Sequence, residues 1–399
     1  MKNAKDRPVR VVYSFPHKLG ENRICHTAWQ QVNGLAAAGA EVTVFPGVLH
    51  KPVASGVKVN ATLAWRRFRI PYRLFGPIAS CRLHDLIVSR RVRRLAGKVD
   101  IIHAWPLGAR ETLKTAAQLG IATVLERPNA HTQFAYEVVA KECEKLGIRM
   151  PRGHEHDFNA NTLRIENEEY QLADCLLCPS DFVTRTFLEK GFPKEKLARH
   201  QYGFDEKTFF AGSQNTSAER GLTMIFVGGC APRKGLHYAL EAWLGSGAQE
   251  KGMFLIAGEF IPGYAEKLSA QLAHPSIKRL GHRRDVPELM RQSDILVLPS
   301  IEEGSALVTS EARGSGCVLL VSEGAGAICR HMENALVHRV GDVKKLTEHI
   351  VLLDRDRQFL ARLRESSLST VNEITWTAAG ARLLDVYREV LRVKSQVSL

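Results

Sequence analysis

Short apolar runs alternate with amphipathic stretches along most of the chain, and this alternation predicts strands followed by helices. The first unit begins with the strand "VRVVYSF" (9–15), which a polar loop separates from the helical pattern "ICHTAWQQVNGLAAAG" (24–39). The helix ends at Gly39, and "AEVTVFP" (40–46) forms the next strand. This order predicts a βαβ unit, in which ligands bind beyond the carboxyl ends of the strands.

The same pattern recurs in both halves of the chain. Further strands are expected in the first half at 99–106, 121–131, 173–180 and 198–203, and in the second half at 222–229, 251–259, 277–282, 294–300 and 317–323. A chain of 399 residues favours two domains over one core. We therefore predict an α/β protein with two Rossmann-like domains: residues 1–208, residues 209–375, and a last amphipathic helix within 376–399. The small polar stretch 209–221 is the expected interdomain linker.

Composition narrows the class of protein. Hydrophobic residues make up 45% and charged residues 24%, which is typical of a folded soluble protein. No leader sequence and no long apolar span is apparent, so we expect a cytoplasmic protein that can bind peripherally to the inner face of the membrane. Cys175 and Cys178 lie in the apolar run "ADCLLCPS", which favours buried free thiols over a zinc or redox site.

The formal charge of +13 is concentrated in one region. Residues 65–98 contain ten Lys and Arg against one acid, Asp85, with aromatic residues interleaved in "WRRFRIPYRLF". Such a region suits an anionic membrane surface, and a solvated helix face with a basic loop explains it equally well. Because no nucleic-acid motif accompanies the charge, we expect no nucleic-acid partner.

Two stretches at strand ends carry candidate binding chemistry. Gly228 and Gly229 follow the strand "MIFV", where small residues let backbone amides approach a phosphate, and Lys234 adds a positive charge. In "SIEEGSALVTSEARGSG", Glu303 and Glu311 lie eight positions apart at the exit of "DILVLP". A helix starting near Ser305 would offer the free amides of its first turn to an anion between the two acids. A capped helix with two solvated acids is the alternative.

Three other features are weaker candidates. His131 in "ERPNAHT" and the loop with Gly20 and Arg23 also follow strands, although a single histidine is more often structural than catalytic. Asp354 and Asp356 form a D-x-D between two helical segments near the C-terminus, away from any strand end. We expect these two aspartates to be solvated rather than to bind a metal.

With these motifs in place, nearly the whole chain resembles the retaining glycosyltransferases of family 4, which have the GT-B fold. "EEGSALVTSEARGSG" is similar to the E-x7-E motif of that family, and "FVGGCAPRKGL" is similar to its phosphate loop. The segments "DILVLPS", "YGFD", "ADCLLCPS" and the terminal "TWTAAGARLLDVYREVL" also resemble family segments. Gly229 stands where the family often has an arginine, which Arg233 would replace.

The resemblance implies a role for each candidate residue. Glu303 would contact donor-sugar hydroxyls, Glu311 the nucleotide ribose, and Lys234 the donor diphosphate, as catalytic or binding groups. Three further parts of the chain would support the donor: the loop with Gly228, Gly229 and Arg233, the amides of Ser305, Ala306 and Leu307, and the loop at Gly20. The family has a histidine in its N-terminal domain, and Glu126, Arg127 or His131 would occupy the corresponding position here. Of the three, His131 is the expected catalytic residue. The last helix would cross back to the first domain.

The expected reaction is hexosyl transfer with retention from a nucleotide sugar to a glycan or lipid-linked acceptor, in envelope polysaccharide or glycoconjugate synthesis. Neither a metal nor a cofactor is expected. Two alternatives remain open: a synthase that acts on a soluble sugar, and a non-catalytic scaffold that binds sugar nucleotides.

Overall fold

The computed structural model describes residues 7–65, 68–69, 76–212 and 220–397. Arg66, Arg67 and Arg73 of the basic region and most of the expected linker, 213–219, lie outside these ranges. The strands are β1 (Arg10–Leu19), β2 (Glu41–Leu49), β3 (Lys58–Val59), β4 (Ala64–Trp65), β5 (Phe68–Arg69), β6 (Ile101–Ala104), β7 (Ala122–Glu126), β8 (Cys175–Cys178), β9 (Leu197–Arg199), β10 (Thr223–Val227), β11 (Met253–Ala257), β12 (Ile277–Gly281), β13 (Ile295–Leu298), β14 (Val318–Ser322) and β15 (Ala335–His338).

The helices alternate with these strands. They are α1 (Ile24–Ala37), α2 (Pro77–Arg94), α3 (Arg110–Gln118), α4 (Thr132–Leu146), α5 (Ala160–Leu172), α6 (Asp181–Glu189), α7 (Leu236–Gly245), α8 (Tyr264–Lys267), α9 (Ser269–Leu272), α10 (Val286–Arg291), α11 (Leu307–Gly314), α12 (Val343–Arg355), α13 (Arg357–Ser369) and α14 (Trp376–Val397). Within the described ranges, no helix is both long and apolar enough to span a bilayer.

Two parallel sheets organise the fold. The first has the order β3-β2-β1-β6-β7-β8-β9 and the second the order β12-β11-β10-β13-β14-β15. The strand order reverses between β1 and β6 in the first sheet and between β10 and β13 in the second. Ligands of open α/β sheets bind beyond the carboxyl ends of strands at such reversals. The two α/β sheets confirm the predicted fold class.

Each sheet carries its own core. Strand β13 ("ILVL") is buried at every position, as a central parallel strand requires, and belongs to the core of the second sheet. Ser180 caps α6, because its hydroxyl accepts a hydrogen bond from the Val183 amide at 3.2 Å. The thiols of Cys175 and Cys178 are buried in β8.

The last helix packs against the first sheet rather than the second. Leu383 and Tyr387 of α14 lie in the same core as β1 and α1. The Tyr387 hydroxyl also lies 2.6 Å from His103 Nδ1 in β6. The domain boundaries at residues 208 and 375 themselves stay predictions.

The structure differs from the sequence-based elements at several strands, since β3, β4 and β5 were not predicted. Strand β1 continues to Leu19 through residues expected to form a loop, because Lys18 and Leu19 still pair with Val48 and Leu49 of β2. Strand β15 was not predicted, and it pairs with β14 at the edge of the second sheet. Its short run "ALVH" offers too few positions for a periodic signal.

Candidate functional site

The loop after β10 is held close to the end of β13. Residues Pro232–Lys234 form a 3-10 turn, and Gly235 follows at φ +67° as α7 begins. A Cβ at Gly235 would lie 2.0 Å from the Pro299 carbonyl oxygen, so only glycine permits this approach. A Cβ at Gly229, in contrast, would meet no atom within 4 Å. The glycines therefore place Arg233 and Lys234 beside the β13 exit and leave open space at Gly229.

Arg233 and Lys234 both contact Glu303. Arg233 Nη1 lies 3.0 Å from Glu303 Oε2, and the Lys234 ammonium contacts Glu303 Oε1. Burial raises the pKa of Glu303, but the two neighbouring cations outweigh it and hold that pKa at about 2. Burial lowers the pKa of Lys234, and the charge of Glu303 offsets only part of that shift. The structure thus brings three of the predicted site residues together as one charged cluster.

Glu302, the residue before Glu303, joins this cluster to the first half of the chain. It accepts from the Ala130 amide at 3.1 Å and lies 3.0 Å from His156 Nε2. Burial raises the pKa of Glu302, whereas His156 and Arg233 lower it, and the balance lies below the ordinary value. Sequence reasoning missed Glu302 and His156. The adjacent acids in "IEEG" and the two histidines in "GHEHD" are the signals that could have identified them.

Other contacts also cross between the two halves. Glu142 of α4 lies 3.0 Å from His237 Nε2 and accepts from the Tyr238 hydroxyl at 2.5 Å, both in α7. A Cβ at Gly304 would lie 1.6 Å from the Pro128 carbonyl oxygen. The loop that carries Glu302 and Glu303 therefore packs closely against the residues that follow β7.

The helix after this loop begins later than expected. Ala306 is the N-cap and α11 starts at Leu307. The Ala306 amide donates to the Ala325 carbonyl at 3.2 Å, so the expectation that it is a free donor is wrong. Ser305 lies in the loop before the cap. The amides of Leu307 and Val308 belong to the first turn, where an α-helix supplies no partner.

Glu311 lies in α11, and no described ion pair joins its side chain to the cluster of Arg233, Lys234 and Glu303. Burial raises the pKa of this carboxyl to about 7. Within the parts of the chain that the structure describes, no ion pair to its side chain is found. A half-buried carboxylate without a cation is suited to accept hydrogen bonds from hydroxyl groups.

His131 has a different setting from the one expected of a catalytic residue. It is the N-cap of α4, its Nδ1 accepts the Gln133 amide at 3.2 Å, and its ring packs against Tyr170 and Phe187. Burial, together with the charges of Arg127 and Lys190, lowers its pKa to about 4. The aromatic packing accounts for this histidine, and no described contact joins it to Glu303 or Lys234.

The other two candidates for the N-terminal-domain histidine are also buried. Arg127 pairs with Glu166 at 3.4 Å, and its guanidinium lies 4.4 Å from the Tyr170 ring centroid. Glu126 accepts from the Tyr202 hydroxyl at 2.9 Å and from Gln31 at 2.8 Å. Both side chains are therefore occupied by partners of the first domain.

The loop after β1 contains Gly20 and Arg23, and both residues have a positive φ. Gly20 has φ +89°, and a Cβ there would lie 2.7 Å from Lys51 Cβ. Arg23 also has a positive φ, at 55°. Burial is the main cause that lowers the pKa of His154, and the Arg23 charge contributes to the same shift. No described contact joins Gly20 to Lys234.

A cavity of about 480 Å³ lies beyond the strand reversal of the first sheet. His17 of β1, Leu107 after β6 and Asn129 after β7 line it, together with the turn that carries His154 and His156. Pro77 and Ile78, in the first turn of α2, form an apolar part of its wall. The cavity thus has polar and apolar sides and adjoins the charged cluster through His156.

The remaining candidates lie elsewhere. Asp354 is in α12, and Asp356 caps α13 by accepting the Phe359 amide at 2.7 Å. Among the residues that the structure describes, no cluster of His, Cys, Asp and Glu suits a metal ion.

Two parallel-sheet domains in contact across a cleft, with cations and acids at the central strand exits, define a protein of the GT-B architecture. The family description "Glycosyltransferase Family 4" matches residues 26–207, and "Glycosyl transferases group 1" matches residues 221–356. Together the two matches span most of the chain. The chain belongs to the family 4 glycosyltransferases, which confirms the family that its motifs resemble.

Two curated relatives are similar to this chain. The N,N'-diacetylbacillosaminyl-diphospho-undecaprenol alpha-1,3-N-acetylgalactosaminyltransferase of Campylobacter jejuni is 28% identical over 119 residues, 29% of this chain and 32% of that protein. The match thus spans about a third of that relative's length. The UDP-Gal:alpha-D-GlcNAc-diphosphoundecaprenol alpha-1,3-galactosyltransferase of Escherichia coli is 22% identical over 303 residues, 74% of this chain and 76% of that protein.

A solved structure supports the fold. Anabaena HepE in complex with UDP superposes with a TM-score of 0.66 at 14% identity, over 96% of this chain and 100% of that one. At this identity the likeness shows the GT-B fold alone.

Proposed function

We propose that this protein transfers a hexose from a UDP-sugar to a lipid-linked glycan acceptor, with retention of configuration and without a metal ion. The observation that carries the proposal is the convergence of Arg233, Lys234 and Glu303 at the strand reversal of the second sheet. Family membership supports placing the donor at this cluster. The names of the two relatives support a lipid diphosphate acceptor, and the name of one supports UDP.

The charged cluster suits the leaving group of this reaction. As the bond from the anomeric carbon to the diphosphate oxygen breaks, negative charge grows on the phosphate. Arg233, Lys234 and the first-turn amides of α11 can stabilise that charge, and one such donor contributes about 3 kcal/mol. An acceptor hydroxyl oxygen then bonds to the anomeric carbon from the same face, and its proton passes to the leaving phosphate.

The two predicted glutamates take different roles. In the free protein, Glu303 contacts the cations. When the diphosphate binds those cations, Glu303 can instead accept hydrogen bonds from the hydroxyls of the donor sugar. Glu311 has no cation partner in the described chain and accepts hydrogen bonds from the ribose hydroxyls in this proposal. The resemblance implied these roles, and they stay predictions until variants are measured.

The cavity on the first sheet is the proposed acceptor site. Its polar wall suits sugar hydroxyls, and Pro77 and Ile78 of α2 suit the start of an apolar chain. Helix α2 itself carries five arginines, Arg82, Arg90, Arg91, Arg93 and Arg94, and this charge supports an anionic membrane surface near the first domain. A glycan of cell-envelope synthesis attached to a lipid diphosphate fits this arrangement.

The first experiment is thermal stabilisation by a panel of UDP-, GDP- and ADP-sugars, with Glu311→Ala beside the wild type. We expect UDP-sugars alone to raise the melting temperature and the variant to lose the effect. The stabilising donor is then incubated with a lipid-diphosphate-linked sugar in the presence of EDTA, and the anomeric configuration of the product is read by NMR.

Each outcome distinguishes the proposal from its alternatives. Stabilisation without transfer to any acceptor favours the non-catalytic scaffold, and transfer to a free sugar favours a synthase. No stabilisation by any nucleotide sugar would contradict the donor site itself.

A further inference from the structure

His156 reaches across the cleft to a glutamate beside the charged cluster. Its Nε2 lies 3.0 Å from Glu302 Oε2, and the two side chains are 3% and 0% exposed. The other carboxylate oxygen of Glu302 accepts the Ala130 amide at 3.1 Å. Both partners belong to the first half of the chain, so Glu302 is held from outside its own domain.

Glu302 is also a competitor for the guanidinium of Arg233. That group faces three carboxylates: Glu303 at 3.0 Å, Glu302 at 3.7 Å and Glu155 at 3.8 Å. The Glu302 oxygen nearest Arg233 is Oε2, the same atom that contacts His156. Arg233 reaches the Glu302 main chain more closely, with Nη1 donating to the carbonyl oxygen at 2.8 Å. The imidazole and the guanidinium therefore share one carboxylate oxygen.

We propose that His156 is a positioning residue for the donor, because it holds Glu302 so that Arg233 remains available to the diphosphate. The inference rests on the proposed function. Without the imidazole, Oε2 of Glu302 loses a hydrogen-bond donor in a buried place, and Arg233 is the cation beside it. A buried carboxylate needs such a partner, so a full ion pair with Arg233 replaces the lost bond. The guanidinium is then withdrawn from the phosphate oxygens.

The turn that carries His156 also borders the cavity. The His156 amide donates to His154 Nδ1 at 3.2 Å, and the Asp157 amide donates to the His154 carbonyl at 2.9 Å. An acceptor in the cavity touches the turn that sets the position of Glu302. Any effect of the acceptor on donor affinity through this turn must be reciprocal.

The test measures UDP affinity by calorimetry on the full chain, for the wild type and variants of His156. His156→Leu and His156→Asn place no donor at the position of Nε2, and we expect UDP binding to weaken about tenfold in each. His156→Gln can still donate from that position, and we expect it to retain affinity within about threefold. With the donor sugar that stabilises the wild type, KM should rise and kcat should fall, because the withdrawn Arg233 no longer stabilises the charge on the leaving phosphate.

A double-mutant cycle separates positioning from a general structural role. In a Glu302→Gln background the competing charge is gone, so adding His156→Leu should weaken UDP binding by less than about twofold. His349→Leu removes another buried imidazole, in α12 and away from the site, and controls for lost packing. Melting temperatures without ligand report folding, and His156→Asn replaces His156→Leu if the latter unfolds.

Three results would overturn the inference. One is wild-type affinity in both His156→Leu and His156→Asn, and another is an equal loss with and without Glu302. The third is a loss in His156→Gln as large as in His156→Leu. If the wild type binds no UDP, both the proposed function and this inference are wrong. If the wild type binds UDP, any of the three results overturns the inference alone.

Discussion

Lys234 and Glu303 form an ion pair that joins the loop after β10 to the loop after β13. Arg233 contacts the same carboxylate at 3.0 Å. In the free protein, Glu303 therefore neutralises the positive charge of the proposed diphosphate site. A donor diphosphate must displace Glu303 from the cations, and this exchange frees Glu303 for the hydroxyls of the sugar.

Replacing Lys234 by Ala should lower turnover far more than it lowers stability. Glu303 keeps its bond to Arg233, whereas the leaving phosphate loses one cation, which corresponds to a decrease of about 100-fold in kcat. UDP release from the stabilising UDP-sugar measures the effect. Lys345→Ala, which removes an exposed ion pair with Glu348, should keep wild-type turnover. A Lys234→Ala variant with more than half the wild-type kcat would contradict the assignment.

Donor affinity should depend on pH through Glu311. Its pKa lies at about 7 because of burial, so the carboxyl is largely neutral at pH 6 and ionised at pH 8. An ionised carboxylate accepts hydroxyl hydrogen bonds more strongly. We expect binding of the stabilising UDP-sugar to tighten severalfold from pH 6 to pH 8 in the wild type.

The control for this pH dependence is Glu311→Gln, in which the side chain cannot titrate. Its affinity for the same UDP-sugar should be weaker than that of the wild type at pH 8 and nearly constant over the range. A variant that keeps the full wild-type pH dependence would exclude Glu311 as its source.

The same group makes stability depend on pH with a defined sign. Its pKa in the folded state is about 7, against an ordinary value of 4.5. Between pH 4.5 and pH 7, the folded protein therefore keeps a proton on Glu311 that the unfolded chain releases. The contribution of Glu311 to the free energy of unfolding is therefore fully present below pH 4.5 and is lost as the pH rises through 7. Glu311→Gln should raise the melting temperature more at pH 8 than at pH 5. Glu250→Gln, at an exposed position, should show no such difference.

Gly304 should not tolerate a side chain. A Cβ there would lie 1.6 Å from the Pro128 carbonyl oxygen, which is backbone and cannot rotate away. We expect Gly304→Ala to separate the loop from the β7 exit and to abolish most turnover. Gly245→Ala, at the end of α7, is the matched control, because its Cβ would have its nearest neighbour at 3.9 Å. Equal activity in the two variants would show that this close contact does not matter for the reaction.

The contact between α1 and α14 depends on two glycines. A Cβ at Gly380 would lie 2.6 Å from the Gly34 Cα, so Gly380→Ala should cost about 1–3 kcal/mol of unfolding free energy. Gly245→Ala at the end of α7 has its nearest neighbour at 3.9 Å and should be neutral or stabilising by about 0.5–1 kcal/mol. Chemical denaturation of the two variants measures both effects, and a stable Gly380→Ala protein would contradict the close packing.

The order of strands and helices was predictable because each element carries its own periodic pattern. The continuous apolar run of β13 and the spacing of α1 are properties of neighbouring residues. The last strands of each sheet were less predictable, since β15 has only four positions and is defined by its pairing with β14. The end of β1 was misplaced for the same reason, because pairing with β2 extends it.

The sequence by itself determined the α/β class, the family motifs and the position of Glu303 after a central strand. Only the tertiary structure decided which groups meet. Glu302 bonds Ala130 and His156, which are 172 and 146 positions away in the chain, and His131 packs into an aromatic cluster instead of facing the cations. Periodicity specifies which face of an element is buried, but partners across the cleft depend on how two separately folded sheets are placed against each other.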